Sequence, residues 1–335
     1  MTISTRTPSA LAAALRDIQA PVRAELGKVS QELWRIVSAD VPLVQDVQQH
    51  LMGMKGKLFR PTLLLLSSTV EDTAPPPRAV TFAAVIELIH LATLVHDDAV
   101  DHSALRRGMP TVNSLFSHQV SVIMGDFLYL RALRELVTLG DLDAMRAITF
   151  ASNEMTLGEI RQLSSYDALA FSERDYETLI RAKTASLFMA ACDVGALCGA
   201  PRHRDALTRF GERLGMAFQV ADDLLDYTEQ QEMTGKPSGL DLKEHKVTLP
   251  LIAALREMPA ASRARVEALF ASAEPEDDAI AEVVSIVREH GGLEYARRRA
   301  DQFSHEAEEA LADLPDGPSR TALVDAISYV VERRW

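Results

Sequence analysis

The sequence predicts an all-α fold, a single-domain bundle of about ten or more helices around a central cavity. Three observations carry that prediction. Apolar residues recur at three- and four-residue steps through most of the chain, and Val/Ile alternation of the strand type is nearly absent. The third is Val80–Asp101, apolar nearly all round, which puts it inside a large bundle rather than on its surface.

Taken in order, the periodicity predicts helices over Leu11–Val37, Thr62–Val70 and Val80–Asp101. Pro42, Pro61 and Pro75–Pro77 separate them, because proline lacks the amide proton that a helix interior needs. Gly108 with Pro110 ends the next gap, and Val112–Leu139 and Leu142–Leu163 follow on either side of Gly140. Tyr176–Cys198 runs to Gly199 and Pro201, and Ala206–Tyr227 runs to a loop at Gly235–Gly239. Leu249–Met258, Ala279–His290 and Leu293–Leu311 complete the set, with breaks at Pro275, Gly291–Gly292 and Pro315–Pro318.

Length and composition narrow the function. With 335 residues and no Gly/Ser-rich or charged linker, residues 1–335 read as one domain able to bury a sizeable core. A formal net charge of −13 argues against a nucleic-acid partner and gives no general attraction to anionic membranes. An anionic substrate must then be held by metal and by local Lys/Arg clusters. Cys192 and Cys198 lie on different faces of one predicted helix and form no disulfide or ligand framework, which suits a reducing compartment. The N-terminal apolar stretch Ala10–Leu15 is short, and no 18-residue apolar segment occurs. Neither an export signal nor a membrane span is expected, and the protein reads as cytoplasmic.

The chemistry gathers at His90–Gly108, HLATLVHDDAVDHSALRRG. Asp97 and Asp101 stand one helical turn apart on one face with Asp98 beside them, and Arg106 and Arg107 follow. Crowded carboxylates repel unless a cation sits among them, and a few hard oxygen donors with room for water and phosphate suit Mg²⁺. His90, Thr93, Asp97 and Asp101 form one polar line in an apolar helix, so that line faces a cavity. The pattern recurs as DDLLD at Asp222–Asp226, again after an apolar run. Taken singly, either motif could be helix-end capping and surface pairing. Two together point to a metal-bound polyanion.

These residues resemble a family. KGKLFRP, ELIHLATLVHDDAVDHSALRRG, GDFLYLRA, KTASLF, FQVADDLLDY and GKPSGLDLKEHKVTLPLI, in unbroken order from about Lys57 to Pro250, are similar to the trans-isoprenyl diphosphate synthases (polyprenyl synthetases), above all the long-chain, octaprenyl-like members. The resemblance implies a fold of the isoprenoid synthase type, with N-terminal helices over 1–55, a catalytic core over 56–258 and C-terminal helices over 259–335. It also implies a homodimer and Mg²⁺-dependent condensation of isopentenyl diphosphate with an allylic diphosphate, three Mg²⁺ ions accompanying the bound diphosphate.

Carried over residue by residue, Asp97, Asp101 and Asp222 match the metal ligands, and Asp98, Asp223 and Asp226 complete the two motifs. Arg106, Lys183, Thr184, Gln219, Lys236 and Lys246 match contacts to the allylic diphosphate. Lys57, Arg60, His90 and Arg107 match the isopentenyl diphosphate site. Two positions depart from the family: Leu58 replaces a second basic residue, and His245 stands where glycine is common.

Product length is read from helix geometry. The growing chain extends back from Asp97 along its helix, whose turn of about 5.4 Å is close to one isoprene unit. Ala92, Thr93 and Ile89 there carry no aromatic plug, and in the family such an open channel gives long products, C30–C50. The alternatives are a shorter-chain farnesyl or geranylgeranyl diphosphate synthase, a class I terpene cyclase, and a non-catalytic subunit regulating a partner synthase. A cyclase's second motif reads with Asn/Ser/Thr and Glu instead of DDLLD, and a regulatory subunit would have lost metal aspartates.

Overall fold

The computed structural model describes residues 8–54, 56–72, 74–106, 108–163, 168–228 and 239–332. It is all-α, as predicted. The helices are α1 (Pro8–Ile18), α2 (Arg23–Val37), α3 (Pro42–Gly53), α4 (Phe59–Ser67), α5 (Pro77–Val100), α6 (Val112–Leu115), α7 (His118–Leu139), α8 (Leu142–Leu163) and α9 (Glu173–Ile180). Then come α10 (Ser186–Gly199), α11 (Arg204–Thr228), α12 (Leu240–Lys243), α13 (Leu249–Glu257), α14 (Ala260–Ala271), α15 (Asp277–Glu289), α16 (Gly292–Ala310) and α17 (Pro318–Glu332). Among the described residues the strands are two short ones, Leu105–Arg106 and Met109–Pro110, paired antiparallel across Gly108 at φ +75°.

The departures from prediction have local causes. Leu11–Val37 is two helices, because Pro21 sits in a 3₁₀ turn, Ala20–Val22, that redirects the chain. Pro42 and Pro318 are not merely breaks: each opens a helix, where its fixed φ fits and its missing proton is not needed. Helix α14 was not predicted, and only Val266 and Leu269 of it are buried, too few for an apolar stripe. Tyr176–Cys198 is interrupted by one π-helical turn, Arg181–Ala185.

Helix α5 is the axis of the bundle, packed by α2, α4, α7 and α10, while α11 is clasped between α10 and α16. Helix α5 is long and apolar enough to cross a membrane, contrary to the expectation that no 18-residue apolar segment occurs. Its residues Phe82 to Ile89 are nevertheless mostly at zero exposure, so its apolarity is that of a core helix. One connected apolar core runs from Ile18 to Val330. Helices α10 and α4 approach so closely that a Cβ on Gly195 would stand 2.3 Å from the Leu64 carbonyl oxygen.

Both cysteines are free thiols inside this core. Burial pushes Cys192 up to about 12 and Cys198 up to about 11. Their folded values lie above the unfolded one, so the stability this contributes is intact below about pH 8.5 and falls as pH rises above it. A thiol-reactive dye at pH 8 is expected to label neither cysteine in the native protein and both in denaturant. Rapid native labelling would show that the packing is looser than described.

Candidate active site

Several segments meet at one cavity of about 550 Å³: the C-terminal ends of α5, α8 and α11, the stretch from Ala168 through α9, the π turn before α10, and the stretch from α12 to Thr248. Asp101, Lys183, Thr184, Gln219, Asp223 and Lys246 line it, so residues far apart in sequence share one wall. The π turn inserts one extra residue into the helix and is the kind of local defect often found at functional sites. It fits because its neighbours are small: a Cβ on Gly158 would meet Ala182 at 3.3 Å, and one on Gly215 would meet the Ala185 Cα at 2.6 Å.

The three aspartates of the first motif have different surroundings. Asp98 is buried and receives the Arg106 Nε on both carboxylate oxygens, at 2.8 and 2.9 Å. Asp101 is exposed, with the Lys246 ammonium 3.8 Å away. Asp97 is half-buried; its carboxyl is pushed up to about 6 by burial and by Glu159 and Asp101, against the pull of Lys183 and Arg106. A carboxylate held out of water beside other carboxylates favours a cation in its vicinity.

The second motif is divided in the same way. Asp222 is exposed. Asp223 is buried, accepts the Tyr176 hydroxyl at 2.5 Å and the Gln219 amide at 2.7 Å, and is pushed up to about 7 mainly by burial. Gln219 in turn accepts from the Thr184 hydroxyl at 2.6 Å, so a chain of bonds connects the motif to the π turn. Asp226 accepts the backbone N–H groups of Leu240 and Asp241, both at 3.0 Å, and so anchors the start of α12.

Of the predicted diphosphate contacts, Lys183 stands 2.5 Å from Glu159 and 3.2 Å from the side-chain Oε1 of Gln162, and Lys246 stands 2.6 Å from Glu244. Asp97, Asp222, Arg106, Lys57, Arg60 and His90 are not among the residues that line this cavity. Lys57 lies over the Tyr329 ring at 5.7 Å and Arg60 over the Phe188 ring at 4.5 Å, while Thr93 donates to the His90 carbonyl at 2.8 Å. Lys236 and Arg107 fall outside the described residues. Ala92 and Ile89 are buried and Thr93 half-buried, in keeping with an inward-facing line.

Sequence reasoning missed Glu159, Gln162, Tyr176 and Asp241, all of which line the cavity. Asp241 is pushed up to about 8 by burial and by Asp223 and Asp226. Its signal was available inside GLDLKEHK, but a lone aspartate in a polar loop reads as solvated. Tyr176 looked like any aromatic on a helical stripe.

Among the polar side chains of the cavity oxygen ligands outnumber nitrogen ones, which fits a hard divalent cation such as Mg²⁺. Among the described residues, no three histidine, cysteine, aspartate or glutamate side chains close into a ready-made cage. Such an ion would therefore share its coordination with water and with oxygens of the substrate.

The bundle and its cavity have close counterparts. A decaprenyl diphosphate synthase structure from Rhodobacter capsulatus superposes with a TM-score of 0.90 at 35% identity, covering 96% of this chain and 99% of that one. A polyprenyl synthase from Caulobacter crescentus, solved with calcium and isoprenyl diphosphate, gives 0.90 at 32% identity, covering 96% and 98%. In sequence, the all-trans-nonaprenyl-diphosphate synthase (geranyl-diphosphate specific) of Rhodobacter capsulatus is 37% identical over 319 residues, 95% of this chain and 98% of that protein. The class is thereby a prenyltransferase. More narrowly, the chain belongs to the polyprenyl synthetase family, whose model matches residues 41–287.

Proposed function

We propose that this protein is an all-trans long-chain polyprenyl diphosphate synthase, adding isopentenyl diphosphate units to an allylic diphosphate. The observation that carries the reading is the single cavity into which an aspartate of each motif and the lysines Lys183 and Lys246 project. The similar proteins named above, nonaprenyl and decaprenyl synthases, support the long product.

On this reading Asp97, Asp101 and Asp222 hold Mg²⁺ together with the allylic diphosphate; that the Caulobacter crescentus protein was solved with calcium and isoprenyl diphosphate supports a divalent cation beside a diphosphate in a fold of this kind. When bound, the three ions would neutralise the diphosphate and strengthen it as a leaving group. Lys183, Lys246 and Arg106 stabilise the charge that develops on that diphosphate as its bond to the allylic carbon breaks. Thr184 and Gln219 orient it, and Lys236 adds a further positive charge to it. Lys57, Arg60, His90 and Arg107 hold isopentenyl diphosphate, whose double bond attacks the allylic cation. The adduct loses a proton, and the released diphosphate takes it. Asp98, Asp223 and Asp226 serve by fixing Arg106, Gln219 and α12 in place.

Residues 1–335 act as one domain, in the cytoplasm, and pair with a second copy. The exposed apolar side chains Ile123, Leu130 and Val137 of α7 and Phe150, Ile160 and Leu163 of α8 support a homodimer through these helices. Leu130→Glu is expected to yield monomers in analytical ultracentrifugation; an unchanged sedimentation coefficient would place the contact elsewhere.

The test of the function is turnover by the purified chain alone, with Mg²⁺, isopentenyl diphosphate and farnesyl diphosphate. Products longer than geranylgeranyl diphosphate are expected, and Ala92→Phe should shorten them, because a ring has no room where a buried methyl stood. A wild-type C15 product would defeat the long-chain reading.

A further inference from the structure

We propose that His245 is a positioning residue for Lys246: its ring ties the turn after α12 to the end of α14 and so sets where the Lys246 ammonium stands in the cavity. This rests on the reading of Lys246 as a contact for the allylic diphosphate.

The backbone is the first indication. His245 has φ +55°, in the left-handed region that side chains with a Cβ rarely adopt and glycine enters freely. A bulky ring persists there only where its surroundings hold it. Here they do. The ring Nε2 lies 2.9 Å from the carbonyl oxygen of Ser272, the residue that closes α14. A carbonyl only accepts, so Nε2 carries the proton and donates, which settles the ring tautomer. The same ring meets Phe270 edge-on, with centroids 5.6 Å apart and planes at 65°.

The tether spans 27 residues of sequence and joins the cavity wall to the C-terminal helices. On the wall side the turn is tight. The His245 N–H donates to the Leu242 carbonyl at 3.1 Å and the Lys246 N–H to the Asp241 carbonyl at 2.7 Å. From this turn the Lys246 side chain reaches out between Glu244 and Asp101, and His245 and Lys246 both line the cavity. A lysine stem has many rotamers, so the placement of its charge depends on how firmly its Cα is held. Glycine would serve the turn without strain; a side chain with a donor of this reach also anchors it to α14.

The test is steady-state kinetics with farnesyl and isopentenyl diphosphate on wild type, His245→Gly, His245→Gln, Lys246→Ala and the His245→Gly/Lys246→Ala double variant. His245→Gly is expected to raise the KM for farnesyl diphosphate roughly tenfold, leaving kcat and the KM for isopentenyl diphosphate near wild type. Its thermal midpoint should change little, because relief of the left-handed conformation offsets the lost ring contacts. His245→Gln keeps an N–H donor of similar reach and should recover most of the affinity. In the Lys246→Ala background, removing the ring should add nothing further. A wild-type KM in His245→Gly alongside a raised KM in Lys246→Ala would overturn the proposal alone, as would multiplicative effects in the double variant. A wild-type KM in Lys246→Ala would overturn the reading of Lys246 itself. Should His245→Gly not fold, His245→Phe, which keeps a ring without a donor, is compared with His245→Gln: a tenfold rise in KM for the first beside a near-wild-type KM for the second supports the tether, and a wild-type KM in both overturns it.

Discussion

Asp97→Ala and Asp222→Ala are each expected to lower kcat by roughly two orders of magnitude or more, with the fold intact. Neither side chain is central to the packing: Asp222 is exposed and Asp97 half-buried. The Asp97 carboxyl is pushed up to about 6 by burial and by Glu159 and Asp101, so deleting it relieves repulsion and should leave the thermal midpoint level or raised. Activity should vanish in excess chelator and return with Mg²⁺. By contrast Asp223→Ala removes a buried acceptor and strands the Tyr176 hydroxyl, and it should lose stability as well as rate. Full turnover by Asp97→Ala, or by wild type in chelator, would sink the assignment of the aspartates to a metal-bound diphosphate.

Gly215→Ala is the second large effect, and it comes from packing alone. The added Cβ would stand 2.6 Å from the Ala185 Cα, 2.9 Å from its Cβ and 3.1 Å from the Phe188 Cβ. None of these atoms is the end of a flexible side chain, so α11 and the π turn must move apart. Overpacking of this kind costs about 1–3 kcal/mol. The turn that shifts carries Lys183 and Thr184, and Gln219 lies one helical turn beyond Gly215 on α11. Denaturant unfolding should therefore show the loss of stability, and two-substrate kinetics a raised KM for the allylic diphosphate with isopentenyl diphosphate less affected. An alanine variant as stable and active as wild type would mean that the helices have slack here.

Helix periodicity and the two aspartate motifs were legible because both are local. A stripe at three- and four-residue steps needs no partner to be recognised, and DDAVD and DDLLD place their carboxylates on one helix face by geometry alone. Helix α14, with two buried residues, carried no such stripe, and Pro42 and Pro318 announced an interruption without saying on which side a helix begins. The roles within each motif were not legible either. Asp97, Asp98 and Asp101 look equivalent in sequence, yet one is half-buried among carboxylates, one is paired with Arg106 and one is open to solvent.

By itself, then, the sequence determined an all-helical chain with a polar line on its most apolar helix and two carboxylate clusters able to share a cation with a polyanion. Tertiary structure decided which groups meet: Tyr176 with Asp223 across 47 residues, Thr184 with Gln219 across 35, and His245 with Ser272 across 27. The physical reason is the range of the information. Periodicity and spacing report the conformation of neighbouring residues, whereas burial, pairing and the left-handed turn at His245 depend on helices brought together by an apolar core that runs nearly the length of the chain.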